Sequence, residues 1–144
     1  MRINKKRPIY LISPIVIKKK FYKNLNDVLS LNKTSFFQLR LKKYSFKKKV
    51  LIGKKIKKIC KKYRVKFLVN DDVILAKNLN ADGCHLGQKD MSLRNARKII
   101  GKKIIGITCH NSKKLIKTFD PKKVFLVKYK NKTQPESPNN AKRL

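Results

Sequence analysis

Short apolar runs rich in β-branched residues alternate along this chain with stretches whose apolar residues recur at helical spacing. The apolar runs predict six strands, at residues 8–13, 36–41, 66–71, 83–87, 103–108 and 123–129. The intervening stretches predict helices at residues 45–63, 72–80, 92–101 and 111–119. This alternation is typical of βαβ units, so the pattern predicts a parallel sheet with right-handed crossovers.

The ends of one predicted helix are marked by the sequence SLRNARKIIG. Ser92 is a residue type that caps helix amino termini, and Gly101 is one that closes carboxyl termini. Residues 92–101 therefore give the clearest helix prediction in the chain.

One predicted strand, FFQLRLK, is not uniformly apolar. Gln38, Arg40 and Lys42 alternate with leucines, and a period of two puts these three polar side chains on one face of a strand. A solvated edge strand would explain the pattern. In a βα barrel, however, that face points into the barrel, whose upper end is the mouth of the active site. Three donors converging there, one of them a guanidinium, would suit a phosphate or diphosphate.

The charge of the chain is extreme, at +33 over 144 residues, a length that fits one domain. Such a charge attracts polyanions in general. Lys far outnumbers Arg, however, and the lysines are scattered along the whole chain, which indicates a drift of surface positions toward Lys. We therefore expect nucleic acid to bind only nonspecifically, if at all, and to be released steeply by salt.

The three cysteines and the apolar segments bear on location. Cys60, Cys84 and Cys109 are widely spaced and form no Cys-x-x-Cys motif, which favours a reducing, cytoplasmic setting. No stretch approaches the length of about eighteen apolar residues that a membrane span requires, so we expect no membrane association.

Carboxylates are rare in the chain but concentrated in one window. Four of the seven acidic residues lie between Val69 and Asp90, namely Asp71, Asp72, Asp82 and Asp90. They either cap helices and turns or hold a cation. Asp71 ends one predicted strand and Asp90 lies just past the next, so both reach the same rim of a parallel sheet. For Asp72 and Asp82, the structural role is the better interpretation.

Four segments together resemble thiamine-phosphate synthase, a (β/α)₈-barrel family, over roughly residues 8 to 117. In chain order they are Gln38-Arg40-Lys42, Asn70-Asp71, His85-Leu86-Gly87-Gln88 with Asp90, and Ile105-Gly106 with Thr108 and His110. The resemblance implies an enzyme of thiamine biosynthesis, a transferase that joins hydroxymethylpyrimidine diphosphate to thiazole phosphate and releases diphosphate.

The resemblance also implies roles for individual residues. Asp71 and Asp90 would bind Mg²⁺, which holds the diphosphate leaving group. The pyrimidine diphosphate would contact a larger set, which comprises Gln38, Arg40, Lys42, Asn70 and Thr108. Three further motif residues are candidates for the same site without a defined role in this chemistry, namely His85, Gln88 and His110.

The carboxyl-terminal part of the chain departs from the family pattern. A complete barrel needs eight βα units and usually at least about 200 residues. No glycine follows Gly106, and the Pro-Thr-x-Thr-Lys and glycine-rich phosphate segments of the family are not found. We therefore expect an incomplete TIM-type (β/α) barrel of about five to six βα units over residues 1–129, with a disordered basic tail at 130–144.

Two functions remain open at this point. One is a synthase, shortened or divergent, whose partners are phosphorylated small molecules and which retains the pyrimidine-diphosphate half of the site. The other is a noncatalytic remnant, a basic half-barrel that binds phosphorylated ligands or nucleic acid. In either case an open barrel would expose strand edges, which an oligomer could cover.

Overall fold

The polypeptide alternates strand and helix as the apolar pattern predicts. A computed structural model describes residues 9–108 and 125–127. The elements in these residues are β1 (Ile9–Ile12), α1 (Lys20–Ser30), β2 (Thr34–Leu39), α2 (Phe46–Lys62), β3 (Lys66–Asn70), α3 (Val73–Asn78), β4 (Gly83–Leu86), α4 (Leu93–Ile100), β5 (Ile104–Thr108) and β6 (Phe125–Val127).

The six strands form one parallel sheet in the order in which they occur along the chain. Each strand lies beside the strand that precedes it, and helices connect the first five of them, as in the wall of a (β/α) barrel. In register, Gln38 lies opposite Leu68, and His85 lies between Asn70 and Gly106. The predicted fold class, an incomplete TIM-type barrel of five to six units, is confirmed.

The main hydrophobic core lies between the sheet and the helices. Alternate strand residues enter it, because successive side chains of a strand point to opposite faces. These strand residues are Phe37, Leu39, Phe67, Val69, Cys84, Leu86, Ile105 and Ile107. The helices contribute Leu25, Leu29, Ile52, Ile56, Cys60, Leu75, Ala76, Ala96 and Ile100. Burial of each large aliphatic or aromatic side chain stabilises the fold by about 1.5–3 kcal/mol.

The other face of the sheet carries a different set of side chains. Phe36 stacks on Tyr10 with ring centroids 5.7 Å apart, and Gln38 follows two residues later on the same face. His85 and Thr108 share this face at the carboxyl ends of β4 and β5. The polar residues of this face therefore lie near one edge of the sheet, where parallel strands end.

Side chains predicted to cap helices do so. Ser92 Oγ accepts a hydrogen bond from the Asn95 N–H, and Asp72 Oδ1 accepts one of 2.8 Å from the Leu75 N–H. Gly101 follows α4 with φ of 59°, a left-handed conformation that glycine adopts without strain. The predictions for helices 45–63, 72–80 and 92–101 are confirmed within the usual variation of helix ends.

Helix α1 was not predicted, although Phe21, Leu25, Val28 and Leu29 have helical spacing. It has no side-chain cap at its amino terminus, and lysines surround its apolar positions. The prediction that Arg40 and Lys42 lie on a strand is wrong, because β2 ends at Leu39.

Some predictions lie outside the described residues. They include the helix at 111–119, His110, the tail at 130–144 and most of the strand at 123–129. Over the part of the chain that the structure describes, no helix is both long enough and apolar enough to cross a membrane.

Candidate functional site

The candidate residues gather at and just beyond the carboxyl ends of β2, β3, β4 and β5. Because these strands are parallel, their carboxyl ends lie at one edge of the sheet.

Gln38 and Asn70 form a pair of amides across β2 and β3. Gln38 Nε2 donates a hydrogen bond of 2.8 Å to Asn70 Oδ1, and only 1% of Gln38 is exposed. Gln38 Oε1 is buried and has no hydrogen-bond partner among the described residues. A buried acceptor without a partner costs free energy, so this oxygen is suited to accept a hydrogen bond from a ligand.

Ser13 fixes the backbone at Arg40, just beyond β2. The Ser13 N–H donates a hydrogen bond of 2.9 Å to the Gln38 carbonyl, and Ser13 Oγ accepts one of 2.8 Å from the Arg40 N–H. Ser13 is buried, whereas Arg40 is exposed. Sequence reasoning did not select Ser13 as a site residue. Its position at the end of the first predicted strand is the signal that would have found it.

Asp71 is held by contacts from two neighbouring segments. Lys42 Nζ donates to Asp71 Oδ2 over 2.9 Å, and the Asp71 N–H donates to the His85 carbonyl over 2.7 Å. Asp71 has φ of 64°, in the left-handed region that Asp tolerates better than most residues. The backbone therefore leaves the extended conformation of β3 at Asp71, the residue that carries this carboxylate.

Asp71 and Asp90 lie near enough for each carboxylate to shift the pKa of the other. Burial raises the pKa of Asp90, and a hydrogen bond with Asp71 raises it further. Burial also acts to raise the pKa of Asp71, but hydrogen bonds with Lys42 and Asp90 outweigh it and lower that pKa. The pair thus resists carrying two negative charges.

Gly87 brings the backbone close to Asp90. Its N–H donates a 2.6 Å hydrogen bond to Asp90 Oδ2, and a Cβ at this position would lie 2.9 Å from the same oxygen. A side chain at residue 87 would therefore crowd the carboxylate. Local steric crowding therefore explains why glycine suits this position of the His-Leu-Gly-Gln segment.

The carboxylate pair fits a divalent cation that is shared with a phosphorylated ligand. Mg²⁺ is commonly held by one or two carboxylates together with substrate phosphates and water. No cluster of three or more His, Cys, Asp or Glu side chains suited to a metal occurs among the described residues. Asp71 and Asp90 supply two carboxylates, which is the number that the shared mode commonly uses.

His85 and Thr108 join β4 to β5 beside this pair. His85 Nε2 lies 2.7 Å from Thr108 Oγ1, and only 3% of the His85 residue is exposed. Burial lowers the pKa of His85 to about 4, against an opposing effect of Asp71, so the ring is neutral at pH 7. A neutral imidazole can fix the orientation of the Thr108 hydroxyl.

The two remaining candidates are not placed in this cluster. Gln88 lies in an exposed turn after β4, and its side chain makes no hydrogen bond with the described residues. His110 lies outside the described residues. The structure therefore brings together Gln38, Lys42, Asn70, Asp71, Asp90, His85 and Thr108, with Arg40 close enough to lower the pKa of Asp71.

Comparison with known proteins gives one consistent result. The sequence profile described as thiamine monophosphate synthase matches residues 9–124. The thiamine-phosphate synthase of Pelagibacter ubique is 65% identical over 117 residues, which are 81% of this chain and 56% of that protein. The thiamine-phosphate synthase of Erythrobacter litoralis is 38% identical over 110 residues, which are 74% of this chain and 52% of that protein.

A solved structure agrees with these sequence matches. The thiamine phosphate pyrophosphorylase from Pyrococcus furiosus superposes with a TM-score of 0.70 and 25% sequence identity. The match covers 84% of this chain and 60% of that one. The chain thus spans about half the length of the relatives that it matches.

Proposed function

The chain belongs to the thiamine monophosphate synthase family, and from this premise we propose that it binds hydroxymethylpyrimidine diphosphate together with Mg²⁺ at the edge formed by β2 to β5. The reaction served would be the transfer of the pyrimidinylmethyl group to thiazole phosphate, with release of diphosphate, in thiamine biosynthesis. The observation that carries the proposal is the 2.9 Å ion pair of Asp71 with Lys42 next to the Gln38–Asn70 pair, with Asp90 near enough to shift the pKa of Asp71.

The carboxylate pair would hold the cation, whose positive charge offsets the charge that develops on the departing diphosphate. Lys42 Nζ lies 2.9 Å from Asp71 Oδ2, so its ammonium group is placed to contact a phosphate oxygen of a ligand bound beside that carboxylate. Arg40 adds a guanidinium that can bind phosphate oxygens in a bidentate manner.

The polar residues of the inner sheet face would orient the rest of the ligand. Gln38 is fixed by its bond to Asn70 and retains a free acceptor oxygen for a donor group of the ligand. Thr108 is fixed in turn by the neutral ring of His85. These contacts order the side chains before a ligand binds, which lowers the entropic cost of binding.

The proposal extends to the setting of the protein. We propose a cytoplasmic location and phosphorylated small molecules as partners. Cys60 and Cys84 are buried free thiols, which is compatible with a reducing compartment.

Isothermal titration calorimetry of the 144-residue chain with hydroxymethylpyrimidine diphosphate tests the proposal. We expect binding in Mg²⁺ buffer that is lost when EDTA replaces the metal. Asp71→Asn and Asp90→Asn should each abolish the Mg²⁺-dependent part of the binding, because each removes one negative charge from the pair. Asp72→Ala is the matched control, since Asp72 caps α3 and should leave binding unchanged.

Two outcomes would contradict the proposal. One is the complete absence of Mg²⁺-dependent binding by the folded wild-type chain, which would assign the chain to the noncatalytic class. The other is equal binding by the wild type and both asparagine variants, which would place the ligand elsewhere.

A further inference from the structure

A concave region lies at the end of the sheet opposite to the candidate site. It is a cavity of about 480 Å³ between the last turns of α2, the start of β3 and the turns that precede β4 and β5. Lys66 at its wall begins β3, whereas Asn70 of the candidate site ends that strand. Four residue steps along a strand span roughly 13 Å, so the cavity is separate from the carboxylate pair.

The cavity is strongly cationic. Five of its ten lining residues are basic, a larger fraction than the 40 in 144 of the whole chain, so the cavity is more basic than the chain average. They are Lys57, Lys61, Arg64, Lys66 and Lys103. The one carboxylate in the lining belongs to Asp82. It accepts a hydrogen bond of 2.8 Å from the Phe67 N–H and lies 3.6 Å from Lys66 Nζ. Five positive charges less one negative charge leave a net charge of +4 around the cavity.

Two of these ammonium groups are held by neutral oxygens. Lys57 Nζ donates to the Leu79 carbonyl over 2.9 Å, and Lys103 Nζ donates to the Ala81 carbonyl over 2.6 Å and to Asn80 Oδ1. Such contacts fix the position of a cation without neutralising its charge. An ammonium group has three N–H donors, so Lys57 retains two and Lys103 retains one.

Arg64 adopts a left-handed backbone conformation in which glycine or asparagine is more usual. It follows the end of α2 with φ of 56°, and its N–H donates to the Lys61 carbonyl over 3.1 Å. Glycine and asparagine are the usual residues in this left-handed conformation after a helix, because a larger side chain is strained there. The side chains of Arg64 and Lys61 make no hydrogen bond with the described residues, so both remain available at the cavity.

We propose that this cavity binds the phosphate groups of a small polyphosphorylated anion, either a free oligophosphate or a nucleotide, without a divalent cation. The volume lies in the range of small-molecule sites. Fixed ammonium groups and a guanidinium supply charge-assisted hydrogen bonds to phosphate oxygens from several directions. The mutual repulsion of these cations would fall when an anion enters, which favours binding.

The experiment is a calorimetric titration of the 144-residue chain with inorganic triphosphate in EDTA buffer at about 0.15 M salt, where distant charges are largely screened. We expect one site per chain. Arg64→Gly should weaken binding about tenfold, since it removes one charge-assisted contact. The same substitution relaxes the backbone, so the thermal midpoint should stay equal or rise, which separates loss of binding from loss of folding.

Matched controls locate the site. Lys58→Ala removes the same charge from the exposed part of α2, outside the cavity, and should change the affinity less than twofold, as for a screened surface charge. Asp71→Asn should leave triphosphate binding intact, so a failure of the pyrimidine-diphosphate proposal and a failure of this one are distinguishable. Parallel titrations with ATP and with adenosine distinguish a nucleotide ligand from a free oligophosphate. Tighter binding of ATP than of triphosphate indicates that the cavity takes a nucleotide. Equal binding of the two indicates that it takes an oligophosphate.

The proposal is overturned if triphosphate binds at several equivalent sites, or if Lys58→Ala weakens binding as much as Arg64→Gly does. Either result would mean attraction to the overall positive charge rather than to this cavity. Failure of triphosphate and ATP to bind at all would overturn it equally.

Discussion

Asp71 and Asp72 are neighbours in the chain, but their side chains contact different parts of the structure. Asp71 bonds to Lys42 and interacts with Asp90 at the edge of the sheet, whereas Asp72 caps α3 through the Leu75 N–H. One of two identical residues therefore belongs to the candidate site and the other belongs to the scaffold.

We expect a substitution at one of these positions to change stability and a substitution at the other to change ligand binding. Asp72→Ala should lower the free energy of unfolding by about 1 kcal/mol, because α3 loses its cap. Asp71→Asn should change it little, since Asn also tolerates a positive φ, but should remove Mg²⁺-dependent ligand binding. Urea denaturation and calorimetry on the same two samples measure both effects. If Asp72→Ala lost ligand binding while remaining folded, the division of roles would be wrong.

Gly106 makes room for the His85 ring. A Cβ at residue 106 would lie 2.5 Å from His85 Nδ1, so Gly106→Ala should displace the ring from Thr108. We expect a loss of about 1–3 kcal/mol in the free energy of unfolding, as for overpacked cores.

A double-mutant cycle tests whether that cost comes from the His85 ring. In a His85→Ala background the Gly106→Ala substitution should cost less, because the ring is no longer there to clash. An equal cost in both backgrounds would indicate a clash with another group.

The pH dependence of stability should reflect the buried neutral His85. Its pKa is about 4 in the folded protein against an ordinary 6.5, so the unfolded chain binds a proton between these values and the folded chain does not. Stability should therefore be fully present above about pH 6.5 and fall as the pH drops toward 4, by up to about 3 kcal/mol.

The measurement is urea denaturation of metal-free wild type and His85→Gln across this pH range. Because Asp71 and Asp90 titrate in both proteins, the difference between them isolates His85. A difference in stability that stays constant from pH 7 to pH 4.5 would contradict the assignment.

A polypeptide of these 144 residues should form thiamine phosphate very slowly when given both substrates. Well-oriented reactants gain effective molarities on the order of 10⁵ M or more. The family segments expected to hold the thiazole phosphate are not found in this sequence, so much of that gain is forfeited. A parallel assay with the Pelagibacter ubique thiamine-phosphate synthase supplies the reference rate. Comparable rates for the two proteins would show that other residues hold the second substrate.

The sequence alone determined the order of the strands, most of the helices between them and the parallel βαβ class, because these depend on local patterns; the barrel type came from the resemblance of four segments to a known family. Apolar runs and helical spacing are read within ten to twenty residues, and caps such as Ser92 and Asp72 act on N–H groups within one turn. The spacing of the carboxylates relative to predicted strand ends likewise placed Asp71 and Asp90 at one rim. Helix α1 was missed because lysines flank it and no side-chain cap marks its start.

Contacts between distant segments were decided by the tertiary structure. Sequence periodicity extended β2 through Arg40 and Lys42, but the strand ends at Leu39, where the Ser13 hydroxyl binds the Arg40 backbone instead. Three side-chain pairs of the site depend on the register between strands, which local patterns do not specify. They are Asp71 with Lys42, Gln38 with Asn70 and His85 with Thr108. The cationic cavity at the far end of the sheet has the same origin, since Lys57, Arg64 and Lys103 come together only when the turns of separate βα units pack side by side.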